Sequence, residues 1–146
     1  MTIKIMVTRV WVASALLVVL SCGRPHEART AKEFVERYSS AWLREDVDVI
    51  VSMQYDLRRF DSSRIPPGKE AAVLKHNLEN ERKKVENEIA RKGFAYRAGA
   101  NLSYESERDH GDHIHVRVSV DVAKSDIVLI RDGGLLKIFP FPSWFN

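Results

Sequence analysis

The residues of this chain that gather most chemistry in least space are Asp109, His110, Gly111, Asp112, His113, Ile114 and His115. His113 and His115 stand two apart in a stretch that alternates like a strand, so both imidazoles leave the same face, about 6.5 to 7 Å apart along the chain. Two nitrogens at that spacing can converge on one metal ion, and a carboxylate from Asp112 or a third nitrogen from His110 can complete the set. That reading requires the turn to fold back toward the strand face. A polar hairpin tip beside a solvated sheet face accounts for the same residues without a metal. No other cofactor is implied, because the chain has no glycine-rich phosphate loop, no cysteine pair and no nucleophile elbow.

The other reactive group is a single cysteine, and its surroundings are informative. Lys4 and Arg9 precede an apolar run, Val10 to Leu20, which ends in Ser21, Cys22 and Gly23. At about 1.5 Å per residue that run covers roughly half of a ~30 Å hydrocarbon core, so it is too short for a membrane span and has the anatomy of an export signal. The sequence Val19, Leu20, Ser21, Cys22, Gly23 resembles the lipobox of bacterial lipoprotein signal peptides, in which a peptidase cuts before a cysteine carrying diacylglycerol on its sulfur. The resemblance covers residues 1–23. Ser21 fits the position before the cut, while Val19 and Leu20 stand where the family usually has a leucine and a small residue. It implies removal of residues 1–21, lipidation of Cys22, and a domain outside the cytoplasm, anchored to the outer membrane or the outer leaflet of the cell membrane. One cysteine cannot close an internal disulfide, and lipidation explains an odd thiol in an exported chain. Ordinary secretion with cleavage after Gly23 is the plainer alternative.

Charge argues against a polyanionic partner. The whole chain of 146 residues carries +3, but Lys4 and Arg9 lie in the leader, which leaves 21 basic and 20 acidic side chains from Cys22 onward. A net +1 gives no strong field for nucleic acid. The 45% hydrophobic and 29% charged composition is that of a globular domain.

Positioning these groups falls to residues 30–146, read as one domain behind a short polar tether, 22–29. Thr30 and Glu33 stand at capping-box spacing, ahead of an apolar stripe of Ala31, Phe34, Val35, Tyr38, Ala41 and Trp42. Asp46 is a plausible cap for a second helix bearing Val47, Ile50, Val51 and Tyr55. Leu57 to Phe60 can hold a short strand. Lys69 to Lys92 reads as a long helix with Ala71, Leu74, Leu78, Val85 and Ile89 on one side and Gly93 as its left-handed stop. From Phe94 the alternation of Phe94, Tyr96, Ala98, Ala100, Leu102 and Tyr104 predicts a long strand. Ile114, Val116, Val118, Val120 and Val122 form the inward face of the next one. Asp126 to Ile130 and Leu135 to Phe139 make a second hairpin around Gly133 and Gly134. The expected fold class is α+β, with two short helices and one long helix packed on a curved antiparallel sheet of about four strands.

This order, carried by the opening AKEFVERYSSAWLREDVDVIVSM (31–53) and the closing hairpin with Leu136, Lys137 and Ile138, is similar to the nuclear-transport-factor-two-like (cystatin-like) superfamily. That fold hosts enzymes, ligand binders and adaptors. The resemblance implies a pocket between sheet and helices, where polyketide cyclases and ketosteroid isomerases place a carboxylate or histidine. Here the inward faces offer Tyr38, Tyr96 and Tyr104 but no carboxylate, so the isomerase-like role lacks its acid or base. Tyr38, Trp42, Tyr96 and Tyr104 can line an apolar ligand cavity or simply fill the core. Near the C-terminal end Phe141, Trp144 and Phe145 either pack over the core or dock on an envelope protein. The functional expectation is a membrane-anchored lipoprotein acting as a non-catalytic binding or adaptor module. The alternative is a hydrophobic-ligand binder or a cyclase-like enzyme using the sheet concavity.

Overall fold

A computed structural model of the chain describes residues 27–55 and 62–139. Cys22, the Leu57–Phe60 segment and the aromatics Phe141, Trp144 and Phe145 lie outside the described residues. The described elements are α1 (Ala31–Leu43), α2 (Val47–Ser52), a 3-10 turn (Ser62–Arg64), α3 (Glu70–Ala90), α4 (Phe94–Ala100), β1 (Leu102–Asp109), β2 (His113–Val120), β3 (Ala123–Asp132) and β4 (Leu135–Ile138). Helices precede one four-stranded antiparallel sheet in the order β1-β2-β3-β4, the α+β arrangement expected.

Local chemistry sets the first helices. The Thr30 hydroxyl accepts the Glu33 amide at 3.2 Å, and the Glu33 carboxylate accepts the Arg29 amide at 3.1 Å. Those bonds satisfy donors that a helix start otherwise leaves open. Glu45 turns the chain at a φ of 58°, and Asp46 caps α2 by accepting the Val49 amide at 3.2 Å. The stripe Ala31, Phe34, Val35, Tyr38, Ala41 and Trp42 is buried throughout. It shares one core with Ile114, Val116 and Val118 of β2, Ile127 and Leu129 of β3, and Leu136 and Ile138 of β4. Each large side chain buried there contributes about 1.5 to 3 kcal/mol.

Three local readings are corrected. Residues 94–100 form α4 rather than the start of a strand, because Ala95, Ala98 and Gly99 recur at helical spacing and bury a small-residue face. The Glu88 carboxylate accepts the Ala95 amide at 3.0 Å, and the Asn101 side chain donates to the Arg97 carbonyl at 2.8 Å, so both ends are held. The left-handed residue after α3 is Lys92, at a φ of 48°, while Gly93 is extended and begins α4. Val122 does not continue the inward face of β2: it is fully exposed in a tight turn with Asp121, whose φ is 54°.

The free edge of β4 is covered by main chain from elsewhere. Leu136 donates to the Ala28 carbonyl at 2.9 Å. Ile138 donates to the Met53 carbonyl at 2.9 Å, and Tyr55 donates to the Ile138 carbonyl at 2.7 Å. The segment after α2 thereby adds a short parallel bridge, Gln54 to Ile138, to that edge. Ala28 is wholly buried, so the described core includes a residue six positions after Cys22 in sequence.

Candidate functional site

The three histidines of the β1–β2 hairpin meet on the outer face of the sheet. The tip is only two residues long, Gly111 and Asp112, and His110 donates its amide to the His113 carbonyl at 2.9 Å. Residues that close a two-residue loop face each other across the ladder, so their side chains share a face. His115, two further along β2, shares it as well. The ring centroids of His110, His113 and His115 stand 4.9, 5.0 and 5.1 Å apart pairwise, with His110 stacked on His113 at 12°. One nitrogen of each ring lies within 4.8 Å of the others. The fold-back that the metal reading required of this turn is therefore present.

Neighbouring groups hold the tip. Gly111 sits at a φ of 92°, the region that favours glycine, and its amide donates to the Asp109 carboxylate at 2.8 Å. Arg131 of β3 pairs with the same carboxylate and donates from Nε to the Gly111 carbonyl at 3.0 Å. The Gly111 amide first, and the guanidinium with it, hold the Asp109 carboxyl below its ordinary range. The Asp112 carboxylate lies 2.5 Å from His113 Nδ1, which lowers its own pKa. A carboxylate only accepts, so that nitrogen donates and Nε2 of His113 is left for another partner.

Beside the histidines runs an apolar strip. Val128 pairs with His115 and Ile130 with His113 across the β2–β3 ladder. With Tyr55, Phe139 and Arg131 these residues border an open groove of about 490 Å³ whose other wall is Asp112, His113 and His115. Sequence reasoning missed Tyr55, Val128, Ile130, Phe139 and Arg131 as neighbours of the cluster. The sequence marks Asp126 to Ile130 as one arm of a hairpin, but setting Val128 and Ile130 beside particular histidines needs the register.

The four aromatics read as cavity candidates separate into different environments. Phe34, Tyr38 and Trp42 form a continuous line of rings, with centroids 5.4 and 6.1 Å apart, and Tyr96 of α4 meets the Trp42 edge at 6.4 Å. Tyr38 is fully enclosed, and burial pushes its phenol up to about 12. Trp42 also borders an open crevice of about 560 Å³ between α3 and α4, with Glu81, Val85 and Glu88 on its walls. Tyr96 is covered by the Lys92 ammonium, 4.1 Å from the ring centroid. Tyr104 turns its hydroxyl to Glu107, at 3.1 Å on its own strand.

A second apolar feature lies on α3. Leu74 and Leu78 are 41% and 43% exposed and, with Val51 and Ala71, line a groove of about 610 Å³. Only the later half of the expected stripe, Val85 and Ile89, packs into the core.

No family model matches the chain, and no curated protein or solved structure matches it.

Proposed function

We propose that this chain is a membrane-anchored bacterial lipoprotein that acts as a non-catalytic binding module in the cell envelope, with the hairpin end of its sheet as the binding face. The carrying observation is a lateral row of main chain. Asp112 accepts the Arg131 amide at 3.3 Å, Arg131 pairs with Leu136, and Leu136 donates to Ala28. At about 4.8 Å per strand, the entry point of the chain at Ala28 stands roughly 14 Å from the histidine-bearing tip, at the same end of the sheet. Cys22 and Ala28 are six Cα-to-Cα steps apart. At about 3.3 to 3.6 Å each they reach at most ~20 Å, so a lipid on Cys22 would keep that end close to the bilayer surface.

Binding is favoured over catalysis by the composition of the described core, which holds no buried charged side chain and is filled by Phe34, Tyr38 and Trp42 where a cyclase-like pocket would open. A phenol raised to about 12 stays protonated at neutral pH and offers no base. Among the described residues no helix is long and apolar enough to cross a membrane. Two or three acyl chains, at about 0.8 kcal/mol per buried methylene, hold a protein stably where one does not.

Metabolic labelling with radioactive palmitate in a bacterial host tests the reading. Label in the wild-type chain and none in Cys22→Ser supports it; equal labelling, or none in either, contradicts it.

A further inference from the structure

We infer that His110, His113 and His115 form a binding site for one divalent transition-metal ion of the Cu2+, Zn2+ and Ni2+ group. The inference gives the binding module proposed above its ligand, and rests on that reading only for its place in the envelope.

The fold, rather than chance exposure, brings the donors together. Three of the chain's five histidines lie within six residues, and the two-residue tip closed by the His110–His113 hydrogen bond sets all three on one face. Their nitrogens lie within 4.8 Å of one another, whereas imidazoles around a tetrahedral ion at about 2.0 to 2.1 Å place their nitrogens ~3.3 Å apart. The difference is closed by turning exposed rings. His110, now stacked on His113, is the ring that must swing, and it sits at the hairpin tip where a χ rotation costs little.

The surroundings resemble an outer coordination sphere. Asp112 engages Nδ1 of His113 and leaves Nε2 as the ligating atom, as a carboxylate does behind a ligating histidine, fixing its ring. Arg131 fastens the tip through Asp109 and the Gly111 carbonyl, so His110 is held opposite His113 by β3. Asp109 and Asp112 add negative charge nearby. Arg108, opposite His115 in the ladder, Arg117, two residues beyond His115, and Lys137, opposite Ile130, put positive charge on the same face, which weakens binding without blocking it.

Three neutral imidazoles suit ions of intermediate softness and are poor ligands for Ca2+ or Mg2+, which require oxygen donors. His110 and His115 are exposed and His113 half-buried, so at least one coordination position opens to solvent. Such a site exchanges its ion or shares it with a second ligand from the adjoining groove, unlike a closed structural centre.

Calorimetric titration of the full chain in detergent, with the chloride salts of Cu2+, Zn2+, Ni2+ and Mg2+ in a non-coordinating buffer, tests the site. The expected result is one ion per chain with Cu2+ tightest and no Mg2+ binding. His113→Ala and His115→Ala should each weaken binding about tenfold or more, and Asp112→Asn about tenfold through His113 alone. His76→Ala, on α3, and Cys22→Ser should leave the isotherm unchanged. Circular dichroism checks folding, and a triple His→Gln variant replaces any alanine variant that unfolds. Isotherms that survive the triple variant, or vanish with Cys22→Ser or His76→Ala, overturn the site. Palmitate labelling is scored separately, so the anchor and the metal site can fail independently.

Discussion

His110 and His113 face each other across a two-residue tip, joined by one backbone hydrogen bond of 2.9 Å and stacked with ring centroids 4.9 Å apart. That relationship turns a pair of histidines two apart on a strand into a cluster of three, and it depends on a glycine. Gly111 has open space around an added Cβ but a φ of 92°, so Gly111→Ala meets strain and no clash. We expect a stability loss of about 1 to 2 kcal/mol by thermal denaturation, together with weaker copper binding although every donor remains. Unchanged affinity would show that the tip geometry does not position His110.

Gly99 and Trp42 offer a test whose sign is informative. A Cβ on Gly99 would run into Trp42 Cδ1, and the indole is 1% exposed. Helix propensity alone makes Gly99→Ala stabilising by about 1 kcal/mol. Overpacking costs about 1 to 3 kcal/mol, so we expect net destabilisation and a shift in tryptophan fluorescence. A higher melting temperature would contradict the packing of α4 on α1.

Glu88 links α3 to α4. Its pairing with Arg91 first, and its bonds to the Ala95 and Tyr96 amides, hold its carboxyl below the ordinary 4.5. A carboxyl with a depressed folded-state pKa stabilises fully above its unfolded value and loses that contribution as the pH falls through the folded one. Glu88→Gln should therefore cost about 1 kcal/mol at pH 7, and its difference from wild type should shrink as the pH drops below 4.5 in chemical denaturation. A pH-independent difference would remove the ionic part of this cap.

The two halves of α3 should respond differently to truncation. Val85 is 3% exposed, whereas Leu74 and Leu78 keep over two-fifths of their surface in water. Val85→Ala is expected to cost about 2 kcal/mol or more, and Leu74→Ala or Leu78→Ala under about 1 kcal/mol each, by urea denaturation. Equal losses would mean that the Leu74–Leu78 groove is covered.

Much of the fold was legible because its signals are local. Thr30 with Glu33, Asp46 as a cap, the stripe of α1 and the alternation of β2 from Ile114 to Val118 act within a few residues, and each stands where the spacing put it. Residues 94–100 misled because alanines satisfy period two and period 3.6 alike. What decides between them is distant: the Trp42 edge against which Gly99 packs, and the Glu88 carboxylate that caps Ala95. Leu74 and Leu78 show the converse, since an apolar stripe states what can be buried and not what lies across from it. At the site, the shared face of His113 and His115 was readable from strand period alone. The approach of His110 was not, because it hangs on the length of the tip and on Arg131, which follows Gly111 by 20 residues in sequence.

The anchor remains the claim on which the envelope role of this domain stands, and intact mass spectrometry of the chain extracted from host membranes addresses it directly. The account predicts a polypeptide that begins at Cys22 and carries the added mass of a diacylglycerol, with or without a further acyl group on its amino terminus. A product that begins at Arg24, or one that begins at Cys22 with an unmodified thiol, would contradict it.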